Sequence, residues 1–191
     1  RGSKLSLKEF KKDLIDMAKL FLPAIIIAWL ITTYLIANAV VPSGSMETTI
    51  MTNSRLIGNR LAYKFGEKPE RGDIIIFRYP DDESLYFVKR LIGLPGDTVE
   101  IIPNDSDDGY GYVKINGERV NEPYLNEQME VTEYLKFNVP EKSYFFLGDN
   151  RNHSNDARYW DTTYVAEEKL VAKVLFQYWK GFKAFRTEET T

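Results

Sequence analysis

From Leu20 to Pro42 the chain carries no charged residue, and this run of 23 residues constrains everything else about it. As a helix rising ~1.5 Å per residue it reaches about 34 Å, enough to cross a hydrocarbon core about 30 Å thick. The segment before it, residues 1–19, holds six basic residues (Arg1, Lys4, Lys8, Lys11, Lys12, Lys19) against three acids (Glu9, Asp13, Asp16). That excess favours a cytoplasmic N-terminus, with everything after Val41 facing outward. A cleaved secretory signal competes with this reading, because Ala37-Asn38-Ala39 has the A-x-A form of a processing site. The run exceeds the roughly 7–15 apolar residues of a typical signal core, which favours a retained anchor. The chain therefore divides into a cytoplasmic segment, 1–19, a transmembrane anchor, 20–41, and an extracytoplasmic domain, 42–191.

The remainder is long enough for one compact domain with its own core. Across the whole chain 25 Lys and Arg stand against 28 Asp and Glu, a net charge of −3 that gives no electrostatic reason to expect a nucleic-acid partner. Without the charges of 1–19, 19 basic and 25 acidic residues remain, a net −6 that makes the exposed part soluble and mildly acidic. The chain has no cysteine, so neither a disulfide framework nor a thiolate metal site is available to it.

Beyond the anchor the pattern changes from helical to alternating. Apolar and aromatic runs at 73–79, 85–94, 98–102, 112–120, 134–139, 144–147 and 170–179 predict strands. Asn116-Gly117 is a two-residue hairpin signal, and Leu94-Pro95-Gly96-Asp97 is a turn, so the sheet is expected to be antiparallel. Residues 104–111 read as an exposed excursion, and their acids lack the spacing of a calcium-binding loop.

Where the apolar run stops, Pro42-Ser43-Gly44-Ser45-Met46 places small residues that present a hydroxyl without obstruction. A serine nucleophile needs a base. The sole histidine is His153, so the alternative to a Ser-His pair is lysine. In Tyr86-Phe87-Val88-Lys89-Arg90-Leu91-Ile92, alternation puts Lys89 on the face of Phe87 and Leu91. Burial there disfavours the ammonium and makes a neutral amine available near neutral pH. The competing reading is an edge-strand lysine that blocks aggregation or snorkels to water.

Four ordered segments carry a resemblance to type I signal peptidase: P-S-G-S-M at 42–46, G-D-I-I-I-F at 72–77, Y-F-V-K-R-L-I-G-L-P-G-D at 86–97 and G-D-N-R-x-x-S-x-D at 148–156. The likeness runs from the anchor to about Trp179. It implies a mainly β, antiparallel catalytic domain behind a transmembrane helix, and removal of signal peptides from secreted preproteins after A-x-A-like sites. By the same resemblance Ser45 is the nucleophile, Lys89 the base, and the Ser45 N–H with the Ser43 hydroxyl the oxyanion site. Ser154 orients the lysine, Asp156 and Arg158 brace the Ser154 loop, and Pro42, Met46, Tyr86, Phe87 and Val88 contact substrate. Neither metal nor other cofactor is implied; the partners are preproteins and the lipid bilayer. Thr48, Ala157 and Asp161 stand where the family often has proline, serine and glycine, and His153 where asparagine is frequent, which makes it a surface variant.

Two other readings remain: an autoproteolytic relative of the SOS repressors, against which the anchor argues, and a catalytically silent, membrane-anchored β-domain that binds partners. Joint retention of Ser43, Ser45, Lys89 and Ser154 argues against the silent domain.

Overall fold

The structure, a computed structural model, describes residues 7–64, 67–106 and 108–185. Two units separate along the chain, residues 1–36 and residues 37–191.

In the first unit helix α1 spans Leu7–Leu30 and continues as a π-helical turn over Ile31–Leu35. The stretch Phe10–Leu35 is long and apolar enough to cross a membrane. The helix does not run to the end of the charge-free stretch, as the sequence alone suggests. Ile36–Val40 is a strand, β1, which pairs with β2 (Arg55–Asn59). Its alternation of apolar and small residues is masked in the sequence by the longer apolar run before it.

The second unit is mainly antiparallel sheet. The further strands are β3 (Ile74–Arg78), β4 (Tyr86–Gly93), β5 (Thr98–Pro103), β6 (Tyr110–Ile115), β7 (Glu118–Arg119), β8 (Met129–Glu130), β9 (Leu135–Asn138), β10 (Ser143–Leu147), β11 (Val165–Ala166), β12 (Leu170–Trp179) and β13 (Lys183–Ala184). One sheet runs β1-β2-β12-β3-β4-β10-β11 with β13 on β12, and the other runs β7-β6-β5-β9 with β8 also on β6. Each predicted strand run falls on these strands, the run 112–120 on two of them, the hairpin β6–β7. The short strands β2, β8, β11 and β13 carry too little pattern to be read in advance.

The unbroken apolar run Ile74-Ile75-Ile76-Phe77 reflects a strand covered on both faces. Ile75 and Phe77 join a core shared with Val99, Ile101, Val113 and Ile115 of the second sheet. Ile74 and Ile76 face a second core closed by Ala37, Val41, Met46 and Ile50. The segment that carries Ser45 is thus the lid of that second core.

Turn chemistry sets the registers. Asn116 and Gly117 take φ of 54° and 88°, the left-handed pair of a tight hairpin. Asp97 accepts from the Leu94 N–H at 2.7 Å and Asn116 Nδ2 at 2.8 Å, and pairs with Arg71 at 3.0 Å, tying the Pro95-Gly96 turn to the hairpin.

Candidate active site

Buried Met46 and Ile50 hold the turn 42–46 against the second core, so the chain between Val41 and Met46 is fixed at both ends. The Val41 N–H donates to Ser54 O at 3.0 Å and the Asn53 N–H to Val41 O at 2.7 Å. Between these anchors Ser43 and Ser45 bring their Oγ atoms within 3.3 Å. Ser45 is 6% exposed. Met46, expected to contact substrate, is fully buried and belongs to the core; its apolar side chain is claimed by Val41 and Ile50.

A groove of about 330 Å³ opens over this turn. One wall is Val40, Val41, Pro42, Ser43 and Ser45; the other is Tyr86, Phe87, Val88 and Lys89, with His153 and Asn155 at the rim. β4 pairs with β3 along Tyr86–Arg90, but β10 reaches only as far as Arg90, opposite Leu147. Among the described residues the second edge of Tyr86–Lys89 therefore faces the groove rather than another strand.

Lys89 is 3% exposed. Burial drives its pKa from 10.5 down to about 8, opposed by Asp156 and Asp149, which pull it up, and reinforced by Arg158. Its Nζ lies 5.7 Å from the centroid of the Phe87 ring, which itself stacks on Tyr79 at 4.4 Å. The amine is neither at a solvated edge nor snorkelled.

The loop 148–158 closes the site from below. Gly148 N donates to Asp156 Oδ2 at 3.0 Å, and Arg158 grips the same carboxylate with Nε to Oδ1 at 2.8 Å and Nη2 to Oδ2 at 2.9 Å. Both side chains are buried, so this is an internal brace and no solvated surface pair. Ser154 Oγ is buried without a hydrogen-bond partner among the described residues. A side chain at position 148 would begin 2.2 Å from Ser154 Oγ and 2.5 Å from Ser45 O, so only glycine lets the Ser45 backbone and the Ser154 side chain approach this closely.

Several contributors were not legible in advance. Asn150 donates its N–H to Ser45 O and its Nδ2 to Gly44 O, each at 3.0 Å. Arg151 pairs with Glu122, and Arg90 with Asp149. The G-D-N-R string was the available signal, but it names no partner. His153, expected to be a surface variant, is exposed yet lines the groove with Asn155. Of the departures, Ala157 is fully buried where a hydroxyl would need a partner, and the Asp161 and Thr162 N–H groups are capped by Asp81 at 3.0 and 2.7 Å. Thr48 sits on the exposed side of the turn.

The family model described as "Signal peptidase, peptidase S26" matches residues 14–179. A probable signal peptidase I-2 from Synechocystis sp. is 35% identical over 170 residues, covering 86% of this chain and 73% of that protein. Signal peptidase I P from Bacillus subtilis subsp. natto is 35% identical over 160 residues, covering 79% of this chain and 82% of its own. A crystal structure of a signal peptidase I from Enterococcus faecalis V583 aligns with a TM-score of 0.45 and 35% identity, over 56% of this chain and 97% of that one.

Proposed function

The chain belongs to the signal peptidase family, peptidase S26, and from that membership we propose that it removes N-terminal signal peptides from secretory preproteins with Ser45 as nucleophile and Lys89 as base. The observation that carries the reading is a buried lysine, its pKa near 8, lining the same groove as a serine hydroxyl.

The neutral Lys89 Nζ takes the proton of Ser45 Oγ as that oxygen attacks the scissile carbonyl carbon. The carbonyl oxygen becomes an oxyanion and receives the Ser45 N–H and the Ser43 hydroxyl; among the described residues that N–H has no other acceptor. Collapse breaks the C–N bond, and the Lys89 ammonium returns its proton to the departing amine of the mature protein. Water, deprotonated by Lys89, then attacks the acyl ester and releases Ser45 and the signal-peptide carboxylate. Ser154 takes the lysine-orienting role that the resemblance implies, while Asp156 and Arg158 hold the loop that carries it.

An extended substrate fits as an added strand on the open edge of Tyr86–Val88, with Pro42 and Ser43 on its other side. The A-x-A preference is the one that the family resemblance implies.

Residues 1–19 are the cytoplasmic segment, the helix from Leu20 is the anchor, and residues 42–191 work on the extracytoplasmic side. The charge-free part of the helix, Leu20–Leu35, reaches only about 24 Å. A full crossing draws in the turn before it, with Lys19 extending its amine to the interface. A silent binding domain would have no use for a buried, depressed lysine.

The test is cleavage of a preprotein with an A-x-A site in lipid vesicles. Ser45→Ala and Lys89→Ala should each abolish processing with the fold intact. Activity within tenfold of wild type in either variant overturns the reading.

A further inference from the structure

We propose that Asn150 is a positioning residue for the oxyanion site, fixing the peptide planes on both sides of Ser45 and so aiming its N–H and its hydroxyl. The inference rests on the reading of Ser45 as nucleophile. A trans peptide is rigid and sets its C=O and N–H in opposite directions. The Gly44 carbonyl and the Ser45 N–H belong to one such plane, so whatever holds Gly44 O also decides where the Ser45 N–H points. Asn150 Nδ2 holds it, at 3.0 Å. The next plane contains the Ser45 carbonyl, which takes the Asn150 backbone N–H at 3.0 Å. One residue thus pins both planes that flank the nucleophile's Cα.

The tether is needed because Gly44 has no side chain to restrict its dihedrals. An unrestrained peptide there turns at little cost, and the Ser45 N–H turns with it. The other hydrogen bond to Gly44 O comes from the Glu47 N–H at 3.1 Å, within the same turn, and moves when the turn moves. Asn150 instead belongs to the loop braced by Arg151, Asp156 and Arg158, so it refers the Gly44–Ser45 plane to a fixed frame. The amide orientation follows from chemistry: Oδ1 in place of Nδ2 would set two acceptors against each other.

An oxyanion donor acts on the transition state rather than on the bound substrate. Asn150→Ala should therefore lower kcat about 10- to 100-fold with KM within about threefold of wild type, as a donor turned out of line requires. Asn150→Asp keeps the size and the backbone N–H but presents an acceptor to Gly44 O, and should be at least as impaired. The acid limb of the kcat/KM profile, set by Lys89, should stay in place in both. Affinity for a peptide boronate, which places a tetrahedral oxyanion on Ser45, should fall in parallel with kcat.

Wild-type kcat in a folded Asn150→Asp, a displaced acid limb, or a loss confined to KM would each overturn the proposal. Should Asn150→Ala fail to fold, the aspartate variant decides; loss of the fold in both would make the role structural and overturn it too. Ser45→Ala run alongside separates the two levels. If that variant is active, the nucleophile assignment fails; if it is dead while Asn150→Asp is unimpaired, only the positioning role fails.

Discussion

Arg90 and Asp149 form a two-pronged ion pair in the interior, Nε to Oδ1 at 2.8 Å and Nη2 to Oδ2 at 2.7 Å, which joins the residue after Lys89 to the loop that leads to Ser154. Arg90 also donates to Gly72 O at 2.9 Å and stacks on Tyr124 at 3.8 Å, and Tyr124 reaches Glu122, the partner of Arg151. The strand with Lys89 and the loop with Ser154 are thus locked through two buried arginines.

Removal of one member of the Arg90–Asp149 pair leaves the other's charge buried without the counter-charge it has in this pair. Asp149→Ala should destabilise the domain by about 3–5 kcal/mol, read from urea unfolding. Arg90→Met with Asp149→Leu should cost much less than the two single changes together, because no charge stays unpaired. A single variant within about 1 kcal/mol of wild type would show that the pair is not the lock described here.

Gly148→Ala is the smallest change that separates the two halves of the site. The added methyl would stand 2.5 Å from Ser45 O, which is backbone, and 2.2 and 2.6 Å from Ser154 Oγ and Cβ, a side chain too short to swing clear. Processing should fall at least about 100-fold, since shifts of an ångström at the reacting atoms carry costs of that order. Near wild-type processing by Gly148→Ala would mean that the loop yields without disturbing Ser45.

How much of this was legible depends on whether the cause was local. The antiparallel sheet and the Asn116-Gly117 hairpin follow from period and turn chemistry, and the structure has them. β1 was hidden because Ile36–Val40 is apolar in the same way as the helix before it. β2 is not legible because Arg-Leu-Ile-Gly-Asn offers only Leu56 and Ile57, side by side without alternation, before a glycine; at Gly58 a Cβ would meet Ala172 Cβ and Lys173 O at 3.1 Å. Met46 reads as a substrate contact beside Ser45, yet the core fills with it first. Partners distant in the chain, such as Arg151 with Glu122 and Asn150 with Gly44, leave no periodic trace.

Lys89 ties activity and stability to pH in the same sense but over adjoining windows. Only its neutral form accepts the Ser45 proton, so kcat/KM should fall about tenfold per pH unit below about 8 and level off above it. Folding depresses this pKa from 10.5, so between 10.5 and about 8 the unfolded chain binds the extra proton and the native state loses stability as pH falls through that window. Below it the full penalty applies, on the order of 3 kcal/mol. Lys89→Met should therefore be inactive yet more stable than wild type at pH 7, with the difference closing as pH approaches 10.5. A less stable Lys89→Met at pH 7 would count against a strained lysine.

Ala37-Asn38-Ala39 has the form of a cleavage site six residues before Ser45, yet the enzyme is expected to leave it intact. The protection comes from sheet structure rather than from the apolar helix, which ends at Leu35. Ala37 is 4% exposed in the second core, β1 is hydrogen-bonded to β2, and Asn38 Oδ1 accepts from Tyr178 Oη at 3.1 Å. To be cut after Ala39, β1 would have to leave this pairing and uncover the core beneath Met46, the residue that holds the turn of Ser45. Productive attack on β1 would dismantle the site that performs it, so a molecule cannot cleave itself there. A neighbouring molecule meets the same cost on the substrate side, because an extended peptide enters the groove only after release from β2. The measurement is intact mass of the protein extracted from membranes, wild type beside Ser45→Ala. Both should retain residues 37–39; a wild-type species that begins at Val40 and is missing from the variant would show that β1 opens often enough to be processed.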